Sequence, residues 1–136
     1  MDIRTLTPDI SVAPQLDPAE LAEAAQRGFK TIIDNRPDNE GPGQPTALEM
    51  QAAATANGLS FHYQPVVSGA ITPDDVNAFR ALLGAVEGPV LAYCRSGTRC
   101  AMLWSLAQAG SMSADDIIAT AARAGYDMSA LRRNLI

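Results

Sequence analysis

The chain has 136 residues, of which 47% are hydrophobic and 18% charged, and its formal net charge is −5. That profile fits one folded domain, 1–136, and excludes a general nucleic-acid partner, since no basic stripe is present. No apolar run approaches the ~20 residues that would span a bilayer. Met1-Asp2-Ile3-Arg4-Thr5 has neither the basic start nor the apolar stretch of a secretory signal, so the expectation is a cytoplasmic protein with no membrane contact.

Short apolar runs alternate with helix signals along the chain, which is the pattern of an α/β domain. Ile10-Ser11-Val12 reads as a first strand. Asp17-Pro18-Ala19-Glu20 reads as a capping box with Pro at the first helical position, and Gly28 ends that helix. Thr31-Ile32-Ile33 is a β-branched strand running into Asp34-Asn35-Arg36. The polar, turn-rich stretch 37–45 is a surface loop. Thr46-Ala47-Leu48-Glu49 opens a second helix that Asn57-Gly58 closes, and Leu59 to Gln64 alternates as a strand.

Thr72-Pro73-Asp74-Asp75 opens a helix reaching about Val86, so Asp74 and Asp75 are first-turn acids rather than catalysts. Pro89 to Tyr93 is apolar throughout, as a strand buried on both faces would be. The segment from Cys100 to Ala107 is apolar nearly all round and reads as a buried central helix, which places Met102 and Trp104 in the core. Two shorter helices follow, Ser113 to Ala124 and Ser129 to the end. The expected architecture is a small, mostly parallel four-stranded sheet flanked by helices. The carboxyl ends of its strands would gather Asp34-Asn35-Arg36, Gln64-Pro65-Val66 and Cys94 at one edge.

Cys94 and Cys100 are the only cysteines and His62 the only histidine. Two cysteines are too few for a disulfide framework, and one histidine offers no metal cluster, so no metal and no cofactor are expected. His62 lies mid-strand and reads as a sheet residue. Nine of the ten basic residues are arginine, and two of those fall in Cys94-Arg95-Ser96-Gly97-Thr98-Arg99, which holds no acid.

A strand that ends in cysteine, turns on glycine and enters a helix is an anion cradle. The first N–H groups of the helix have no internal partner and point into the loop, where the dipole places partial positive charge. The same field, with arginine neighbours, takes a thiol from ~8.5 to as low as ~3.5. Cys94 is therefore the catalytic candidate, with Arg95, Ser96, Gly97, Thr98 and Arg99 around the anion. Asp34 and Arg36 stand at the neighbouring strand end as positioning or substrate-binding candidates. Cys100 is either a buried core cysteine or a resolving thiol for Cys94.

The run Cys94-Arg95-Ser96-Gly97-Thr98-Arg99 resembles the active loop of rhodanese-type sulfurtransferases. It is also similar to the Cys-x5-Arg signature of cysteine phosphatases with one residue missing. Over nearly its full length, including Gly28 to Pro37 and Pro89 to Arg99, the chain resembles the phosphatase-like domain of beta-lactamase-hydrolase-like proteins. That resemblance implies a fold of the dual-specificity phosphatase type and a functional link to a persulfide dioxygenase, to which such domains occur fused. Rhodanese domains carry a similar Asp-x-Arg segment, but the Gly-His-Ile that follows there is absent here.

A phosphatase closes its loop around phosphate with a bidentate arginine. Four residues between Cys94 and Arg99 make a tighter ring, suited to the single sulfane sulfur of a persulfide. The leading expectation is thus a sulfurtransferase that takes sulfur from thiosulfate or a small persulfide onto Cys94. One alternative is a phosphatase forming a cysteinyl-phosphate. Another is a non-catalytic module that binds anions or senses redox state through Cys94 and Cys100. The expected partner is a small anionic substrate: thiosulfate, a persulfide or a phosphate ester.

Overall fold

The computed structural model describes residues 1–136 and places five strands in one sheet. They are β1 (Arg4–Thr7), β2 (Ile10–Ala13), β3 (Thr31–Asp34), β4 (Ser60–Tyr63) and β5 (Val90–Tyr93), arranged in the order β1-β2-β5-β3-β4. All neighbours are parallel except β1, which pairs antiparallel with β2. The expectation of four strands is corrected by β1. Arg4-Thr5-Leu6-Thr7 carries no apolar alternation because it is an edge strand, and only Leu6 on it is buried. A two-residue connection, Pro8-Asp9, turns it back onto β2.

Six helices flank the sheet: α1 (Leu21–Gln26), α2 (Ala47–Ala56), α3 (Pro73–Ala85), α4 (Thr98–Ala107), α5 (Ala114–Arg123) and α6 (Arg132–Leu135). The expected start signals are made. Asp17 and Glu20 form a reciprocal capping box, but over a 3-10 turn (Pro18–Glu20) that leads into α1. Thr72 and Asp75 do the same for α3, each side chain accepting the other's backbone N–H, so Asp75 is committed to the cap. Thr46 and Ser113 accept from the third residue of α2 and α5.

Central β5 is buried at every position, and successive residues serve opposite cores. Val90, Ala92 and Cys94 join Phe79, Cys100, Leu103, Trp104 and Ile117 on the face covered by α3 to α5. Leu91 and Tyr93 join Leu21, Ile32, Met50 and Ala54 under α1 and α2. This alternation determines which strand-end residues can meet: Cys94 leaves the sheet toward α4, and its neighbour Tyr93 faces away from it.

Candidate active site

Cys94 follows the central strand, and its N–H still bonds Ala13 O at 3.3 Å, so the loop starts from a fixed point. Arg95 O accepts from Gln15 N at 3.2 Å on the other side. The chain then reverses on Gly97, whose φ of +88° lies in the left-handed region that a Cβ disfavours. A Cβ there would also collide with the Tyr126 hydroxyl, which reaches over from beyond α5 to donate to Ser96 O at 3.4 Å. Ala101 N bonds Gly97 O at 3.0 Å and starts α4.

The loop wraps the sulfur itself. Cys94 is 1% exposed, and its Sγ accepts from Gly97 N at 3.1 Å. Its thiol is lowered from 9.0 to about 6, chiefly by a hydrogen bond from the Cys100 thiol. Burial opposes the shift, and the N–H groups of Cys100, Gly97 and Arg99 add to it. Cys94 is thereby a thiolate at neutral pH. Sequence reasoning assigned this effect to the helix terminus and to arginine neighbours. The N–H groups do contribute, but the largest cause is a second thiol.

Arg99 explains the difference. Its backbone N–H serves Cys94, while its guanidinium, 7% exposed, is spent elsewhere. Nη1 and Nη2 donate to the two carboxylate oxygens of Glu40 at 3.0 and 3.1 Å, and Nη1 also donates to Val66 O at 3.0 Å and Asn35 O at 3.4 Å. Arg36 joins the same carboxylate through Nε at 3.0 Å and donates to Gln15 Oε1 at 3.0 Å. The two cations hold the Glu40 carboxyl below its usual range against the cost of burial. Arg95 and Ser96 are exposed at the rim, and Arg95 makes no ion pair. Ser96 Oγ and Thr98 Oγ1 bond each other at 3.1 Å.

The three strand ends do meet, through Asn35 rather than Asp34. Asn35 N bonds Tyr93 O, Val66 N bonds Asn35 O, and Asn35 Nδ2 donates to Gln64 O at 2.9 Å. Asn35 Oδ1 then accepts from Cys100 Sγ at 3.2 Å. Asp34 accepts from Arg36 N at 2.8 Å and lies beside the Tyr93 phenol, opposite Tyr93 in the β3–β5 register. Burial raises its carboxyl to about 6. His62 pairs with Ile33 on edge strand β4, away from the loop.

Sequence reasoning placed Asn35 at this edge without a role of its own, and it missed three further residues that build the site: Glu40, Gln15 and Tyr126. Only Glu40 left a trace, standing four residues after Arg36. No group of three or more His, Cys, Asp or Glu side chains is placed to hold a metal ion. The largest cavity, about 420 Å³ beside Ile10, Val90 and Trp104, contains no residue of the Cys94 loop.

A thiolate at a strand end, ringed by the first N–H groups of the next helix, is the arrangement of a cysteine-dependent phosphatase fold. Residues 2–111 match the phosphatase-like domain of beta-lactamase hydrolase-like proteins. The chain belongs to that family. A beta-lactamase hydrolase-like protein of Xylella fastidiosa is 36% identical over 130 residues, covering 94% of this chain and 30% of the relative. The chain thus spans about 30% of the length of the curated relatives it matches. A solved candidate phosphatase from Neisseria meningitidis is 42% identical, with a TM-score of 0.89 over 99% of this chain and 96% of its own. The catalytic core of a PP-IP phosphatase from S. cerevisiae, solved with citrate, has a TM-score of 0.72 at 14% identity, covering 98% of this chain and 82% of its own. That last likeness concerns the fold alone. The matched family is a phosphatase-like domain, and the solved Neisseria and yeast neighbours are phosphatases by name. The domain is phosphatase-like and of an enzyme family, and no helix in it is long and apolar enough to cross a membrane.

Proposed function

We propose that this phosphatase-like domain transfers sulfane sulfur through a persulfide on Cys94. The observation that carries the reading is the division of labour in the loop. The Cys94 thiolate has the N–H ring to itself, and the Arg99 guanidinium is tied to Glu40 and two carbonyls instead of standing free as a clamp for phosphate.

In that reaction the Cys94 thiolate attacks the outer sulfur of thiosulfate. The S–S bond breaks, sulfite leaves with the electron pair, and the cysteine carries a persulfide anion. The N–H groups of Gly97, Arg99 and Cys100 are placed to stabilise the sulfur, and exposed Arg95 meets the incoming dianion. A thiolate, sulfite or cyanide acceptor then attacks the outer sulfur and returns Cys94 to thiolate. No proton moves, so no general acid is required. A persulfide dioxygenase, if fused or allied to this domain, would supply or consume such persulfides.

Phosphate-ester hydrolysis is the second reading, favoured by the family and by the fold neighbours. It needs an acid to protonate the leaving alkoxide. Asp75 is tied into the α3 cap, and Asp34 lies on the face of the sheet opposite Cys94. Intact-mass measurement after incubation with thiosulfate separates the readings. The wild type should gain one sulfur atom, removable by cyanide, and Cys94→Ser should gain none. Hydrolysis of an aryl phosphate with no sulfur gain overturns the proposal in favour of the phosphatase.

A further inference from the structure

One peptide group in the loop is held from both sides. The N–H of Gly97 donates to Cys94 Sγ at 3.1 Å, and the carbonyl of that same peptide, Ser96 O, accepts from the Tyr126 hydroxyl at 3.4 Å. A trans peptide is planar, with its N–H and C=O pointing opposite ways, so a partner on the oxygen fixes where the hydrogen points. A Cβ on Gly97 would collide with the Tyr126 hydroxyl and would meet the Ala13 carbonyl carbon at 3.4 Å. Glycine thus lets this peptide pack between the end of β2 and the phenol.

Tyr126 is itself built into position. Beyond α5, Gly125 takes a φ of +97°, its N–H bonds Ala122 O at 2.9 Å, and Tyr126 N bonds Ala121 O at 3.0 Å. These are the paired bonds of a Schellman turn. Arg4 of β1 donates to Ala124 O at 3.2 Å across the same turn. The ring packs against the core that holds Cys94 and against the smaller cluster of Ala101, Ala121 and Met128. The titratable groups facing the phenol are Cys94, Cys100, Arg4 and Asp2, and the last two are paired with each other at 2.8 Å. Burial pushes the phenol up, so its hydroxyl remains a donor wherever Cys94 titrates.

We propose that Tyr126 is a positioning residue for the nucleophile, aiming the Ser96–Gly97 peptide so that its N–H stays on the Cys94 sulfur. Donation to the carbonyl also polarises the peptide and makes its N–H a stronger donor to a thiolate. Ser96 is exposed, so water is the alternative partner for that oxygen, and water brings no fixed orientation. A bond of 3.4 Å is longer than an ideal hydroxyl bond, so the effect on the thiol is one of tuning. The role concerns the thiolate and is the same whether the loop carries sulfur or phosphate.

Tyr126→Phe tests it, because the ring stays and only the hydroxyl goes. The midpoint of Cys94 alkylation by iodoacetamide should rise by about half a pH unit, which is about threefold less thiolate below the midpoint. The melting temperature should stay near that of wild type, since the packing of the ring is kept. A midpoint equal to that of wild type overturns the proposal whatever the melting temperature does, because a tyrosine that only packs would leave the thiol unmoved. Should the variant fail to fold, NMR of the wild type decides. The Gly97 amide and Tyr126 ring signals should then titrate together at the alkylation midpoint, and a Tyr126 ring that does not respond overturns the proposal.

Discussion

At the scale of single residues, the Cys94 thiol stands near 6 when folded against 9.0 for the free side chain. Between those values unfolding takes up a proton, so the contribution to stability rises as pH climbs through the window and is complete above 9. It is lost as pH falls through 6. The stability advantage of wild type over Cys94→Ser should therefore grow from pH 6 to 9, by on the order of 4 kcal/mol at most. Denaturant melts across that range check the sign, and iodoacetamide alkylation should titrate with a midpoint near 6. Glu40 is the other decisive residue, a 23% exposed carboxylate shared by two arginines that are almost fully buried. Glu40→Gln leaves those cations without a counter-charge and should cost about 3 kcal/mol of stability. In the same variant an unbound Arg99 should increase affinity for sulfate, measured by calorimetry; unchanged sulfate binding would mean the guanidinium does not reach the loop.

At the scale of elements, the junction between β5 and α4 does most of the work. Cys94 comes from a strand whose hydrogen bonds run out to its own N–H, and the N–H ring comes from a helix that begins three residues after Arg95. Gly97 joins them with a conformation that costs an L-residue roughly 1–2 kcal/mol, and Tyr126 closes the space above it. Gly97→Ala should lose about that much stability, measured by thermal melting. Its larger effect should be on the thiol, whose alkylation midpoint moves upward as Gly97 N and the following N–H groups turn off the sulfur. Adding Tyr126→Phe removes the colliding hydroxyl and should restore part of the stability while leaving the φ strain.

At the scale of the whole molecule, the sheet separates two cores, and Cys94 belongs to the one under α3 to α5. Trp104 on α4 is 2% exposed in that core and also walls the cavity beside Ile10 and Val90. Trp104→Ala should cost about 3–5 kcal/mol, seen in denaturant midpoints. The Cys94 alkylation midpoint should stay near 6, because the loop bonds do not pass through the indole.

By itself the sequence determined what short-range chemistry can encode. The apolar runs of β2, β3 and β5, the capped starts of α2, α3 and α5, and the thiol loop at Cys94 all use neighbours within a few residues, so their patterns survive in one dimension. Edge strand β1 escaped because one face of it is wet and Arg4-Thr5-Leu6-Thr7 has no pattern to show. Only the tertiary structure decided who stands beside the sulfur. The partners of the loop are 59 residues away for Glu40 with Arg99 and 65 for Asn35 with Cys100, and no local pattern records such a pairing. The period-two alternation of β3 and β5 then turned Asp34 away and Asn35 toward the thiols. The turn on Gly97 and the helix start behind Cys94 were legible from residues 94–99. That Arg99 belongs to Glu40, and that a second thiol ionises the first, followed from packing.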